Sequence, residues 1–122
     1  MSSIAIIGAS IHTEKFGNKA VRVYKKLGWV VYPINPKEKE IENTKAYASI
    51  NDLPEKPDRI SIYLPPQITL KIIPELKEFG VKEVILNPGT ESDELIQALK
   101  ENSINPIVAC SIRMTGVNPD NF

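Results

Sequence analysis

Five apolar, β-rich runs recur along the chain, at about residues 3–7, 29–34, 59–64, 82–86 and 106–110, with helical spacing in most of the intervals between them. Antiparallel neighbours need only a short turn, whereas parallel neighbours need a crossover of the kind an amphipathic helix supplies. The alternation therefore predicts an α/β fold, a Rossmann-like doubly wound sheet of about five parallel strands with helices on both faces. The runs are nearly continuous in apolar character, as expected where both faces of a strand are covered.

The helices are read from spacing and from their stops. Residues 18–27 place Ala20, Val23, Tyr24 and Leu27 on one face, and Gly28 stands just past the expected end. Residues 68–79 carry Ile68, Ile72, Ile73, Leu76 and Phe79, with Pro74 removing one backbone hydrogen bond before Gly80 stops the helix. Residues 92–101 carry Leu95, Ile96 and Leu99, with Thr90 and Asp93 at capping-box spacing. The interval 37–57 is the exception: charged to Lys45, with an isolated Tyr47 and a short capped turn at 49–53, it reads as a shortened crossover. The tail 113–122 has no clear pattern and is expected to be a loop or an oligomer contact.

A length of 122 residues fits one domain, residues 1–122, able to bury roughly two-thirds of its unfolded surface. Acidic and basic residues balance at 15 each, so no net field draws the chain to nucleic acid or to an anionic membrane. Cys110 is the only cysteine, which excludes an intramolecular disulfide. With no leader-like segment and no apolar run of spanning length, the expectation is a cytoplasmic protein.

In an open α/β sheet, ligands bind beyond the carboxyl ends of the strands. Four segments are expected to converge there: 8–18, 35–39, 63–66 and 87–90. The first begins Gly8-Ala9-Ser10 and leads through Lys15, Phe16, Gly17 and Asn18 into the first helix. A tight turn at a residue without a Cβ, followed by a helix start, presents backbone amides and a positive dipole end to an anion, usually a nucleotide phosphate. It is not the dinucleotide fingerprint, because Ser10 stands where G-x-G-x-x-G has its second glycine. The structural alternative is an ordinary turn after a strand.

The second exit, Ile34-Asn35-Pro36-Lys37, lacks the carboxylate that NAD enzymes use for the ribose hydroxyls. Lys37 or Lys39 is placed to face a phosphorylated ribose, or else belongs to a solvated cluster with Glu38 and Glu40. Tyr63-Leu64-Pro65-Pro66 offers either an apolar wall for a ligand or a proline stop between strand and helix. Asn87-Pro88-Gly89 offers a turn and an amide across the switch point.

Taken together, Ile6-Ile7-Gly8-Ala9-Ser10, Glu14 to Asn18, Gly28 to Pro36, Ser49 to Pro54, Tyr63 to Pro66 and Asn87-Pro88-Gly89 resemble the small stand-alone CoA-binding proteins. Their domain is similar to the N-terminal domain of the succinyl-CoA synthetase α subunit. The resemblance implies a Rossmann-like fold with CoA across the strand ends. Gly8, Ala9, Ser10 and the segment Lys15, Phe16, Gly17, Asn18 would hold phosphates. Ile34, Asn35, Pro36 and Lys37 would border the adenosine 3′-phosphate end, and Tyr63, Pro65 and Pro66 would line the pantetheine path. Three positions depart from the family pattern: Ile11-His12-Thr13 replaces a frequent Arg-Asn-Pro, Ala109 precedes Cys110 where a basic residue is frequent, and Leu86 to Pro88 replaces an aromatic and a glutamine.

Catalytic machinery is not legible. His12 is the only histidine and sits in the first loop, and no Ser/His/Asp set, metal-spaced cluster or P-loop signature occurs. Cys110 is expected to be a small core residue at a strand end. The expectation is a non-catalytic protein that binds CoA or acyl-CoA, with no metal. The alternatives are an accessory subunit of a separately encoded acyl-CoA ligase and an NAD(H)-responsive regulator.

Overall fold

The computed structural model describes residues 2–122. Its main sheet has five parallel strands: β1 (Ser3–Ile7), β2 (Val30–Ile34), β5 (Arg59–Ile62), β6 (Glu83–Leu86) and β7 (Asn105–Val108), in the order β2-β1-β5-β6-β7. The chain leaves β1 on one side to form β2 and returns on the other to form β5. Strand direction of travel reverses there, which opens a crevice at the carboxyl ends of β1 and β5.

Alternation along the strands divides the interior. Ala5, Ile7, Tyr32, Ile34, Ile60 and Ile62 face one core, which is covered by α2 (Pro66–Phe79) and α3 (Asp93–Glu101) through Ile73, Leu76, Leu95 and Leu99. Ile4, Ile6 and Val31 face the other, covered by α1 (Phe16–Lys26) through Ala20, Val21, Val23 and Tyr24. The period-two division of β1 is what a strand buried on both faces requires.

Several expectations are corrected. The interval 37–57 holds no α-helix, only one 3₁₀ turn at Ile50–Asp52. It forms a hairpin of β3 (Glu40–Ile41) and β4 (Thr44–Lys45), turned by Glu42 and Asn43, both with positive φ, as a two-residue primed turn demands. Tyr47 then exchanges backbone hydrogen bonds with Pro33 and Asn35 at 2.8 and 2.9 Å, covering the β2 edge. The short turn near residue 50 is present, with Ser49 accepting from the Asn51 amide. Ser92, rather than Thr90, caps α3, accepting from the Leu95 amide at 3.1 Å, while Thr90 donates its hydroxyl to the Asn87 carbonyl. α2 runs unbroken through Pro74, whose ring lies on the exposed side.

β7 is a half-exposed edge strand ending at Val108, itself 51% exposed, so the fifth run is not covered on both faces. The tail is ordered. It crosses to the α1 face, buries Ile112 completely and ends with Phe122 under the cations of Arg22 and Lys26.

Candidate functional site

β1 ends at Gly8, whose φ of +90° lets the chain turn away from the sheet. A Cβ there would lie 2.9 Å from the carbonyl carbon and oxygen of Tyr63, so the neighbouring β5 exit also requires glycine. The loop returns to α1, which begins at Phe16, two residues earlier than the spacing suggested. Lys15 occupies the cap position without a side-chain hydrogen bond. The amides of Ala9, Ser10, Phe16 and Gly17 meet no acceptor among the described residues. A buried or half-buried amide without a partner is costly unless a ligand or solvent satisfies it.

These donors open onto a cavity of about 1230 Å³ that extends across the strand exits. That exceeds the roughly 300–1,000 Å³ of ordinary small-molecule pockets and suits a long ligand. Its floor carries Gly8 to Ser10, Ile34 to Pro36, Tyr63 to Pro66, and Asn87 to Gly89. Phe16 and Ile68, 50% and 38% exposed, stand in its lining as apolar surface, Phe16 with the Lys19 ammonium 5.0 Å from its ring centroid. The two helices that begin at the cavity, α1 and α2, have no acidic residue in their first turns. By contrast, α3 starts elsewhere and carries Asp93 and Glu94 in its first turn. The positive ends of α1 and α2 therefore face the cavity with no acidic side chain in their own first turns, Glu14 standing just before the α1 cap in the same lining.

Of the residues expected at the site, two lie outside the cavity lining. Asn18 is fully buried and structural: its Nδ2 donates to the Ser10 carbonyl at 2.9 Å and to Glu42, and its Oδ1 accepts from Arg22 Nε at 2.7 Å. It holds the loop between β1 and α1 without reaching into the space. Lys37 is exposed beside the rim, its amide bonded to Asn35 Oδ1 at 2.8 Å. Asn35 in turn donates to the Ala9 carbonyl at 2.9 Å, so both ends of its amide are engaged within the protein. Asn87 lines the cavity, yet its side chain is consumed internally by Ser61 Oγ, the Ile62 carbonyl and the Ser111 amide.

The residues that sequence reading missed are more distant. Ser49, Ile50, Ile72 and Glu75 line the side facing α2, with Ser49 hydrogen-bonded to Glu75. Cys110, half-buried and beyond the end of β7, packs against the core on the α1 side and also lines the cavity, as do Arg113, Pro119 and Asp120 of the tail. His12 is exposed. Beneath the tail, burial pushes the Tyr63 hydroxyl up to about 12, against its hydrogen bond with Ser111. Burial also raises Tyr24, opposed by the Arg59 guanidinium. No grouping of metal-ligating side chains occurs, and no helix is long and apolar enough to cross a membrane, among the described residues.

Residues 2–115 match the family model described as a CoA binding domain. An ADP-forming acetate–CoA ligase of Methanocaldococcus jannaschii is 36% identical over 118 residues, 95% of this chain and 16% of that protein. The alpha subunit of the ADP-forming acetate–CoA ligase II of Pyrococcus furiosus is 36% identical over 84 residues, 68% of this chain and 18% of the subunit. The chain thus spans less than a fifth of the length of these relatives. A conserved hypothetical protein from Pyrococcus furiosus superposes with a TM-score of 0.82 at 32% identity, covering 91% of this chain and 94% of that one. An acetyl-coenzyme A synthetase of Ca. Korarchaeum cryptofilum, in complex with phosphate and ADP, superposes at 0.76 and 29% identity, covering 88% of this chain and 25% of that one.

Proposed function

The chain belongs to the CoA binding domain family, and from that membership we propose that it is a non-catalytic module holding CoA or acyl-CoA across the carboxyl ends of its parallel strands. The observation that carries the reading is the group of partnerless amides at Ala9, Ser10, Phe16 and Gly17, gathered at one end of a long cavity. Donors of that kind suit the diphosphate of the ligand, and the dipole of α1 adds to them. Gly8 and Gly17 let the main chain come close, and Lys15 adds a cation at the loop end. Ile34, Asn35, Pro36 and the rim residue Lys37 would border the adenosine end, where the 3′-phosphate lies. Tyr63, Pro65, Pro66 and the turn Asn87-Pro88-Gly89 would guide the pantetheine arm, with Asn87 acting through its backbone. When bound, the ligand supplies a thiol or thioester; the residues of this chain bind and orient it.

NAD(H) fits less well. The β2 exit has Asn35 in place of a carboxylate, and that amide is already bonded at both ends. A second reading is favoured by the relatives, which are acyl-CoA ligases or their subunits: the module serves a separately encoded ligase component that handles the nucleotide chemistry. Turnover that arises only on mixing the two would support it.

Calorimetry with CoA, acetyl-CoA and NADH tests the main reading, with melting shifts as a second readout, since only ligands that prefer the native state raise the midpoint. CoA is expected to bind and NADH to give no heat. Absence of heat and of any melting shift with saturating CoA would overturn it.

A further inference from the structure

Ser111, two residues before the tail, is tethered through its amide, its carbonyl and its hydroxyl. Its amide donates to Asn87 Oδ1 at 2.8 Å, and its carbonyl accepts from the Tyr24 hydroxyl at 2.6 Å. Its hydroxyl accepts from Ser61 Oγ at 2.8 Å and shares a hydrogen bond with the Tyr63 hydroxyl at 2.9 Å. Ile112, next in sequence, is fully buried in the cluster that holds Ile6 and Ala9. These two residues are therefore fixed, Ser111 against β5 and the exits of β5 and β6, and Ile112 in the core on the α1 side. A fully satisfied buried network of this kind holds one backbone geometry.

The residues on either side of that anchor, Cys110 and Arg113, both open onto the cavity. Arg113 begins a tight turn closed by the Gly116 amide on its own carbonyl at 2.9 Å, with Gly116 at a φ of +88°. The direction of its backbone is thus set from both ends. Its guanidinium has no hydrogen-bond partner among the described residues, and the only other cation lining the cavity is Lys15. Arg113 thus lines the same cavity as Ala9, Ser10, Phe16 and Gly17, the residues with free amides. A guanidinium offers a planar fork that matches two phosphate oxygens at once, and it stays charged at every working pH.

We propose that Arg113 is a ligand-binding residue that reads the diphosphate from the side opposite the α1 amides. The tethered pair Ser111 and Ile112 carries it into place, and Tyr24 is a positioning residue. The proposal rests on the reading of the site as one for a CoA-like nucleotide. It makes the tail a part of the site as well as a cover for the α1 face.

The test is calorimetry on the whole chain with CoA, with ADP, which has the diphosphate without the pantetheine arm, and with pantetheine, which has no phosphate. Arg113→Gln is expected to weaken CoA and ADP alike by about 10- to 100-fold, the loss of a charge-assisted pair of hydrogen bonds, and to leave pantetheine unchanged. Arg113→Lys recovers part of the loss, as a single-point donor would. Tyr24→Phe weakens CoA in the native chain and adds nothing in the Arg113→Gln background, because the two act through one contact. Equal affinities of Arg113→Gln and the native chain for CoA would overturn the proposal and leave the CoA reading standing. Equal losses for pantetheine and CoA would also overturn it, by placing Arg113 at the other end of the ligand. A native chain that binds neither CoA nor ADP would overturn both.

Discussion

Gly17, in the first turn of α1, stands so close to Gly8 at the exit of β1 that a Cβ on Gly17 would lie 2.6 Å from the Gly8 carbonyl oxygen. The helix start and the strand end are thus in backbone contact, which brings the amides on either side of the loop into one concave group. No side chain can be accommodated there without moving main chain.

Gly17→Ala is therefore expected to lower stability by about 1–3 kcal/mol, the range for a forced methyl in a packed site. It should also separate α1 from the loop and weaken CoA binding more than tenfold, since the donors no longer converge. Denaturant unfolding and calorimetry on the same variant check both. Native-like affinity in a destabilised protein would show that the close approach serves packing alone.

Asn87→Ala removes three internal hydrogen bonds, to Ser61 at 2.7 Å, to the Ile62 carbonyl at 2.8 Å and from the Ser111 amide at 2.8 Å. Buried groups left without partners cost more than the bonds contributed. A loss of about 2–4 kcal/mol is expected in urea unfolding. Amide exchange should show faster opening at Ser111 than in β1.

The Tyr63 hydroxyl, raised to about 12 by burial, links stability to alkaline pH. The neutral form is the one the fold favours, and an unfolded tyrosine titrates near 10. Its contribution is therefore complete below about pH 10 and is lost as pH rises toward the folded value, on the order of 2 kcal/mol across that window. Tyr63→Phe should flatten the fall in stability between those limits. Tyr32, held up to about 12 first by its hydrogen bond to Glu55, and the raised Tyr24 remain in the variant as an internal reference.

Lys37 stands beside the rim rather than in the lining. An exposed cation is worth little to a ligand phosphate. Lys37→Ala is expected to weaken CoA by only about two- to fivefold and to leave dephospho-CoA unaffected, as direct titration of each ligand would show. A matched loss for both would place the 3′-phosphate elsewhere.

What the sequence by itself determined is local in origin. Side-chain alternation at period two and helical spacing at three to four residues depend on neighbours along the chain. They sufficed for the α/β class, for the five parallel runs, for the stops at Gly28 and Gly80, and for the turn at Gly8. The hairpin at 40–45 escaped because two-residue strands carry no periodicity, and its turn uses Glu42 and Asn43 rather than a glycine. The α3 cap was misplaced by two residues because Ser92 and Thr90 are equally good caps until the backbone decides.

Tertiary structure alone decided the strand order and the second wall of the cavity. Tyr24 and Ser111 are 87 positions apart, yet their hydrogen bond fixes where the tail runs and hence where Cys110 and Arg113 point. No spacing rule reports such a bond, because it forms only after the sheet has brought β1, β5 and β6 side by side. The half of the site built from strand exits is written in short patterns, and the half built by the tail is written in contacts that exist only once the core has closed.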